Sequence, residues 1–203
     1  IKSCKNPIII SGGGVFYSDA MEELGNFAIK HNIPVTQTVM GYSTMKRDHS
    51  HFLGPIGGLG GKAANNLAKE TDLAICVGTK LADFTTGSWA NFENPEFKLV
   101  SINIARHDAN KHLAESVIGD AKVSLTELSN SLGNWKSPDS WYKKSQDELK
   151  SWNEYVDKES GPTNQETPNY AHAVGAIYRN SDPTDIAVTA AGGLVGEVVQ
   201  VWR

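Results

Sequence analysis

Short apolar runs with few polar interruptions constrain this chain most. Pro7-Ile8-Ile9-Ile10, Leu73-Ala74-Ile75-Cys76-Val77 and Leu99-Val100-Ser101-Ile102-Asn103-Ile104 are short for helices and long enough for strands. A strand with one wet face alternates apolar and polar residues; one covered on both faces need not. Strands of the second kind occur in parallel sheets, whose crossover connections lay helices over both faces. The first run leads into Ser11-Gly12-Gly13-Gly14 and the second ends on Gly78, so each strand leaves through a tight turn.

The segments between these runs carry the helical period. After the glycine triplet, Met21, Leu24, Phe27, Ala28 and His31 recur at helical spacing, with Ser18 or Asp19 placed to cap the helix. Asn32-Ile33-Pro34 stops it, and Val35 to Val39 reads as the next strand. Gly41 to Phe52 is polar, with Asp48, His49 and His51, and reads as a surface loop. Leu53 to Leu81 then reads as a glycine-rich loop, an amphipathic helix with Ala63, Leu67 and Ala68 on its apolar face, and a buried strand. Ser116-Val117-Ile118 is a short strand, followed by Asp120 as the cap of a helix with Val123, Leu125, Leu128 and Leu132 inward. The alternation predicts a three-layer α/β domain over residues 1–134, a doubly wound parallel sheet.

Composition changes after Gly133. Residues 135–168 read as a helical linker, with Trp141, Leu149, Trp152, Tyr155 and Val156 on one stripe before a Gly/Pro-rich stretch from Gly161 to Pro168. Residues 169–203 read as the first helix–strand unit of a second α/β domain. Its helix covers Tyr170 to Tyr178, its strand Ile186 to Ala190, and a further helix starts near Glu197. The chain lacks an initiator Met and ends just after this strand-and-turn pattern, which predicts a piece of a longer protein.

Charge and motif spacing exclude several classes of function. A net charge of -4 offers no basic footprint for nucleic acid. No apolar run approaches the roughly 18 residues needed to span a bilayer. Two cysteines make no disulfide framework, and Cys76 lies inside a strand run, which points to a reducing, cytoplasmic setting. Loops at the carboxyl ends of parallel strands are where ligands sit, so Gly12–Gly14 and Gly57–Gly61 are candidate ligand loops by position. The dinucleotide fingerprint G-x-G-x-x-G nevertheless fails, because Tyr17 stands at its third glycine. Gly61-Lys62 is followed by Ala63, so the hydroxyl of a phosphate-binding P-loop is missing too. The histidines lack metal-ligand spacing, and no serine sits in a G-x-S-x-G turn. Asp83, Glu22 and Glu23 read as surface or capping carboxylates. These residues name no catalytic centre and no metal ligand set.

Four segments taken together resemble the thiamine-diphosphate enzymes of the acetolactate synthase type. Their middle domain carries a glycine-rich segment ending in Ala-Asn, a helix, and a strand ending in Val-Gly. Here these are Gly54 to Asn65 and Asp72 to Gly78, with Asp83-Phe84-Thr85-Thr86-Gly87 matching the D-x-x-T-G that follows. The fourth is Ala190-Ala191-Gly192-Gly193-Leu194-Val195-Gly196. Asp83 to Ser88, Ser101 to Ile104 with Asp108 to His112, and Ala190 to Gly196 are most similar to the branch of inositol catabolism. That branch hydrolyses a carbon–carbon bond of a cyclic trihydroxy-dione. The resemblance covers the whole chain: a Rossmann-like middle domain, a linker, and the opening of the diphosphate-binding domain.

The resemblance implies thiamine diphosphate and magnesium as cofactors, a small-molecule substrate, and a parent protein that forms dimers or tetramers. It places the glutamate that activates the cofactor before Ile1 and the magnesium motif after Arg203, so the chain alone is expected to be inactive and to bind no cofactor by itself. Only Ala191, Gly192, Gly193 and Leu194 correspond to a cofactor-binding segment, the turn whose amides approach the diphosphate. Nucleotide-binding relatives end the fourth strand on an acid where this chain has Ala105, and have arginine where it has Lys80. Flavin is therefore not expected in the middle domain. The alternatives are an acetolactate synthase-type carboligase or decarboxylase, and a non-catalytic nucleotide-binding module with its ligand at Gly12–Gly14 and Gly57–Gly61.

Overall fold

The structure, a computed structural model, describes residues 1–202. Six parallel strands form one sheet: β1 (Pro7–Ser11), β2 (Val35–Gln37), β3 (Phe52–Pro55), β4 (Leu73–Val77), β5 (Lys98–Asn103) and β6 (Glu115–Ile118). Their order is β3-β2-β1-β4-β5-β6, the doubly wound arrangement that the apolar runs predict. All five residues of β1 and of β4 are buried, as strands covered on both faces must be.

Successive side chains of these strands feed two cores. Ile9, Leu73, Ile75, Val77 and Ile102 point to one layer, built from α1 (Gly13–Tyr17), α2 (Met21–His31) and α6 (Ala121–Leu132). Ile8, Ile10, Ala74, Cys76 and Leu99 point to the other, under α3 (Lys62–Glu70) and α7 (Asp139–Glu159). Two one-turn helices, α4 (Asp83–Thr86) and α5 (Arg106–Ala109), follow β4 and β5. A third, small cluster of Val156, Val174 and Val201 joins α7 to α8 (Tyr170–Arg179) and α9 (Gly193–Val201).

At the carboxyl ends of the central strands the backbones touch directly. Gly12 N–H donates to Val77 O at 2.8 Å, Gly14 N–H to Gly78 O at 2.9 Å, and Gly78 N–H to Ile102 O at 2.9 Å. A Cβ at Gly12 would lie 2.4 Å from Gly78 O, and one at Gly14 2.6 Å from Gly78 Cα. The glycines are there because β1 and β4 meet without room for side chains.

Helix α7 crosses the sheet as a strap. Near its start the Trp141 indole donates to Pro7 O at 2.8 Å. The preceding loop is tied to the end of α2, where Asn32 adopts φ 56 and closes the helix in the left-handed conformation that suits asparagine. Asn32 Nδ2 donates to Ser137 O and Asp139 Oδ1, leaving its Oδ1 to accept from His51 Nε2 at 3.3 Å. His51 also stacks on Tyr142, with ring centroids 4.4 Å apart.

Several local expectations need correction. Ser18 and Asp19 do not cap α2; its first cap is Ala20, and Ser18 ends the preceding α1. Gly41 to Phe52 is not simply a surface loop, since Thr44, Met45 and His51 are buried. Val123 faces solvent, whereas Ala121, Leu125 and Leu132 face the core. The stripe on α7 omits Tyr155, which is 53% exposed. Asp120 does cap α6, accepting from the amides of Lys122 and Val123. Ile186 to Ala190 forms no strand, and α9 starts at Gly193 rather than near Glu197. Ile186 and Val188 are 87% and 90% exposed; β-branched residues without a neighbouring strand gain nothing from being extended.

Gly12→Ala places a methyl group inside van der Waals contact of the Gly78 backbone, and is expected to cost about 2–4 kcal/mol in urea unfolding. Burial, and secondly the neighbouring His49, push the His51 imidazole down from 6.5 to about 4. The unfolded chain therefore binds more protons between those values, so stability is full above pH 6.5 and falls as pH drops towards 4. His51→Gln is expected to remove part of that slope, at most about 1.4 kcal/mol per pH unit, in unfolding measured across pH 4–7.

Candidate functional site

Among the described residues, two places are candidates for binding by their position in the fold: the crevice at the switch point of the sheet, and the turn at the start of α9. The crevice opens above the carboxyl ends of β1 and β4, where connecting chains leave towards opposite faces. It is a cleft of about 650 Å³, with Val39, Met40, Phe84 and Ile104 giving apolar walls and Lys80 and Asp108 at its polar side.

Its first loop is not an anion cradle. The amides of Gly12 and Gly14, which would have to turn towards a pyrophosphate, already bond to Val77 O and Gly78 O. At the end of β5, Asn103 Nδ2 donates to Thr79 O at 3.1 Å, while its Oδ1 accepts from Ala105 N–H at 2.9 Å. Ala105 is exposed and brings no carboxylate to a ribose. The residues present do not fit a dinucleotide.

The Gly57–Gly61 loop is closed in the same way. Gly57 N–H donates to Asn65 Oδ1 at 2.9 Å, and Asn65 Nδ2 returns a bond to Gly57 O at 3.0 Å. Gly58 N–H donates to Phe84 O, Gly60 N–H to Gly57 O and Gly61 N–H to Pro55 O, all within 2.7–2.8 Å. Gly57 has φ +96, and a Cβ there would lie 2.0 Å from Phe84 O. Glycine and Asn65 hold this loop against α4; they do not present it to a ligand. Asp83 opens α4, and Gly87 ends it at φ 58. The motif residues singled out in the sequence are therefore parts of one folded corner.

The buried ionisable groups are similarly quiet. Burial pushes the Cys76 thiol well up, away from the reactive thiolate. His31 is lowered by burial, with Nδ1 bonded to Trp135 O at 2.7 Å. His112, which is exposed, packs on Trp89. Among the described residues, no group of three or more His, Cys, Asp or Glu could hold a metal ion. No described helix is long and apolar enough to cross a membrane.

The second place has the opposite character. Ala191, Gly192, Gly193 and Leu194 are all exposed. Gly192 caps α9 at φ 141 without a side chain, and the first turn carries no acidic residue. The opening amides of a helix have no partners within it, and the helix dipole adds positive character there. A side-chain-free approach, free amides and no competing carboxylate together fit a diphosphate.

The other end of α9 involves residues that the sequence did not single out. Tyr42 Oη and Arg47 Nη2 both donate to Val199 O, at 3.1 and 3.2 Å. Gln200 Nε2 donates to Leu59 O at 2.7 Å, and its Oε1 accepts from Trp152 Nε1 at 3.1 Å. These contacts span 48 to 157 positions, so no local pattern announces them.

Residues 1–128 match the family model described as the thiamine pyrophosphate enzyme, central domain. The whole chain aligns with 3D-(3,5/4)-trihydroxycyclohexane-1,2-dione hydrolase of Clostridium perfringens (strain 13 / Type A), 36% identical over 226 positions. The same enzyme of Bacillus anthracis is 35% identical, and 3D-(3,5/4)-trihydroxycyclohexane-1,2-dione hydrolase 1 of Bacillus cereus is 36% identical, again over the full chain. The chain spans about a third (35%) of the length of these curated relatives. With its doubly wound sheet, closed glycine corner and match over residues 1–128, the chain belongs to the thiamine pyrophosphate enzyme family.

Proposed function

We propose that this chain is part of a thiamine-diphosphate-dependent hydrolase that opens a cyclic trihydroxy-dione in inositol catabolism. The observation that carries this reading is the 36% identity to a relative of that name across the whole chain. In this reading residues 1–134 are a structural central domain, residues 135–168 strap it, and residues 169–203 begin the diphosphate-binding domain.

Thiamine diphosphate, when bound, would supply a nucleophilic carbon to attack a carbonyl and a cationic ring to accept the electron pair of the carbon–carbon bond that breaks. Hydrolysis then consumes one water, leaving a carboxylate on one side of the broken bond and a C–H on the other. This chain contributes an anchor to that chemistry. The amides of Gly193 and Leu194 would hold the diphosphate, with Ala191 and Gly192 letting the backbone approach it. Magnesium would offset the charge of the diphosphate, and among the described residues no group of three or more His, Cys, Asp or Glu could hold it. The central crevice takes no flavin in this account: the amides of Gly12 and Gly14 are already used, and Ala105 stands where an acid would hold a ribose. The parent is a cytoplasmic homo-oligomer acting on a small molecule, without nucleic acid or membrane partners. The chain by itself is inactive.

The full-length protein is expected to consume the cyclic dione only with thiamine diphosphate and magnesium present, and the 203-residue chain is expected to show no turnover. Preferential turnover of pyruvate would favour the carboligase alternative instead. Gly192→Ala is expected to weaken cofactor binding by about ten-fold through strain at φ 141, since a Cβ there meets no atom within 4 Å. Titration of the full-length variant with thiamine diphosphate reads that change directly.

A further inference from the structure

Helix α9 joins two places that would otherwise be unrelated. Its amino end is the open turn at Gly192. Its carboxyl end is gripped by the central domain. Nine residues separate the two, about 13 Å at 1.5 Å per residue. Over so short a length, a shift at one end is carried to the other.

The grip is built from two independent contacts. One satisfies a carbonyl that the helix leaves free: Val199 O receives both Tyr42 Oη and Arg47 Nη2. Arg47 also donates to Tyr42 Oη, and its guanidinium lies over the Tyr42 ring, 5.4 Å from the centroid. A cation at this end opposes the negative pole of the helix. The other contact runs through Gln200, which bridges Leu59 O and the Trp152 indole. Gly61 allows it: a Cβ there would lie 2.8 Å from Trp152 Nε1 and 3.1 Å from Gln200 Oε1.

Building on the thiamine-diphosphate reading, we propose that Arg47, Tyr42 and Gln200 are positioning residues for the diphosphate. Gln200 fixes the carboxyl end of α9 on the Gly57–Gly61 corner, and Tyr42 and Arg47 fix it on the segment before β3, so the amides of Gly193 and Leu194 are held ready for the anion. The glycine corner thus acts on the cofactor at a distance, as the socket of the helix that binds it. Preorganised donors bind an anion more tightly than donors that must first be ordered. Loosening the socket should therefore weaken cofactor binding while leaving the chemistry of a saturated enzyme largely intact.

The test uses the full-length protein with Gln200→Leu, Arg47→Met and Arg47→Lys. Thiamine diphosphate affinity, with magnesium in excess, is measured by calorimetry, and kcat is measured at saturating cofactor. Gln200→Leu and Arg47→Met should each raise the Kd roughly ten-fold, the loss of about one hydrogen bond. Their kcat should stay within about two-fold of the unmodified protein, and Arg47→Lys should restore much of the affinity. In the 203-residue chain, exchange of the hydrogen-bonded amides of α9, Glu197 to Val201, should quicken by a similar factor in Gln200→Leu. Unchanged Kd values alongside faster exchange would overturn the role, leaving a purely structural dock. Unchanged exchange would overturn the grip itself. No thiamine diphosphate binding by the unmodified full-length protein would instead overturn the cofactor reading on which the role depends.

Discussion

The close approach of two backbones at the top of the sheet governs the rest of this structure. β1 and β4 are neighbours in space, yet more than sixty residues separate them. At a switch point the connecting chains diverge to opposite faces, which ordinarily leaves an opening between the strands. Here Gly12 and Gly14 press against Gly78, and their amides are spent on Val77 O and Gly78 O. Gly78 in turn bonds to Ile102 O, so three strands are fastened at their carboxyl ends. The same fastening takes up two of the donors that a pyrophosphate would need, the amides of Gly12 and Gly14. A stable centre and a first loop poor in free donors have one cause.

What was legible in the sequence follows from how far each signal reaches. The apolar runs of β1, β4 and β5 announce burial on both faces, and Asp120 announces a helix start through its own neighbouring amides. β3 was hidden because Gly54 and Pro55 read as a loop; the sheet edge is where a strand tolerates proline. The run at Ile186–Ala190 had the right composition for a strand and no strand to pair with among the described residues. His51 looked like a solvated histidine beside Asp48, yet Asn32 and Tyr142 enclose it. Those neighbours come from distant elements, and periodicity cannot report them.

The family signature had a different standing from the one its glycines suggested. Gly57, Asn65, Asp83 and Gly87 identify the chain well because they build a corner that this fold needs. The open amides are instead at Gly192–Leu194, in a segment that reads as an ordinary turn without the resemblance. Gln200 and Arg47 lie further still from recognition, since their bonds to Leu59 O, the Trp152 indole and Val199 O are all long-range. Sequence motifs here mark where the backbone is constrained, and the exposed turn lies where it is not.

The strand order also sets a timetable. β1 is made first and lies at the centre of the sheet, with β2 on one side and β4 on the other. As the chain leaves the ribosome, β2 can cover one edge of β1 early, but the opposite edge stays bare until Val77 has emerged. Through that interval an apolar Ile8-Ile9-Ile10 segment presents unpaired amides and carbonyls to whatever is nearby. A strand buried along its whole length in the finished sheet is thus bare on one edge during synthesis, and the arrival of β4 ends its exposure.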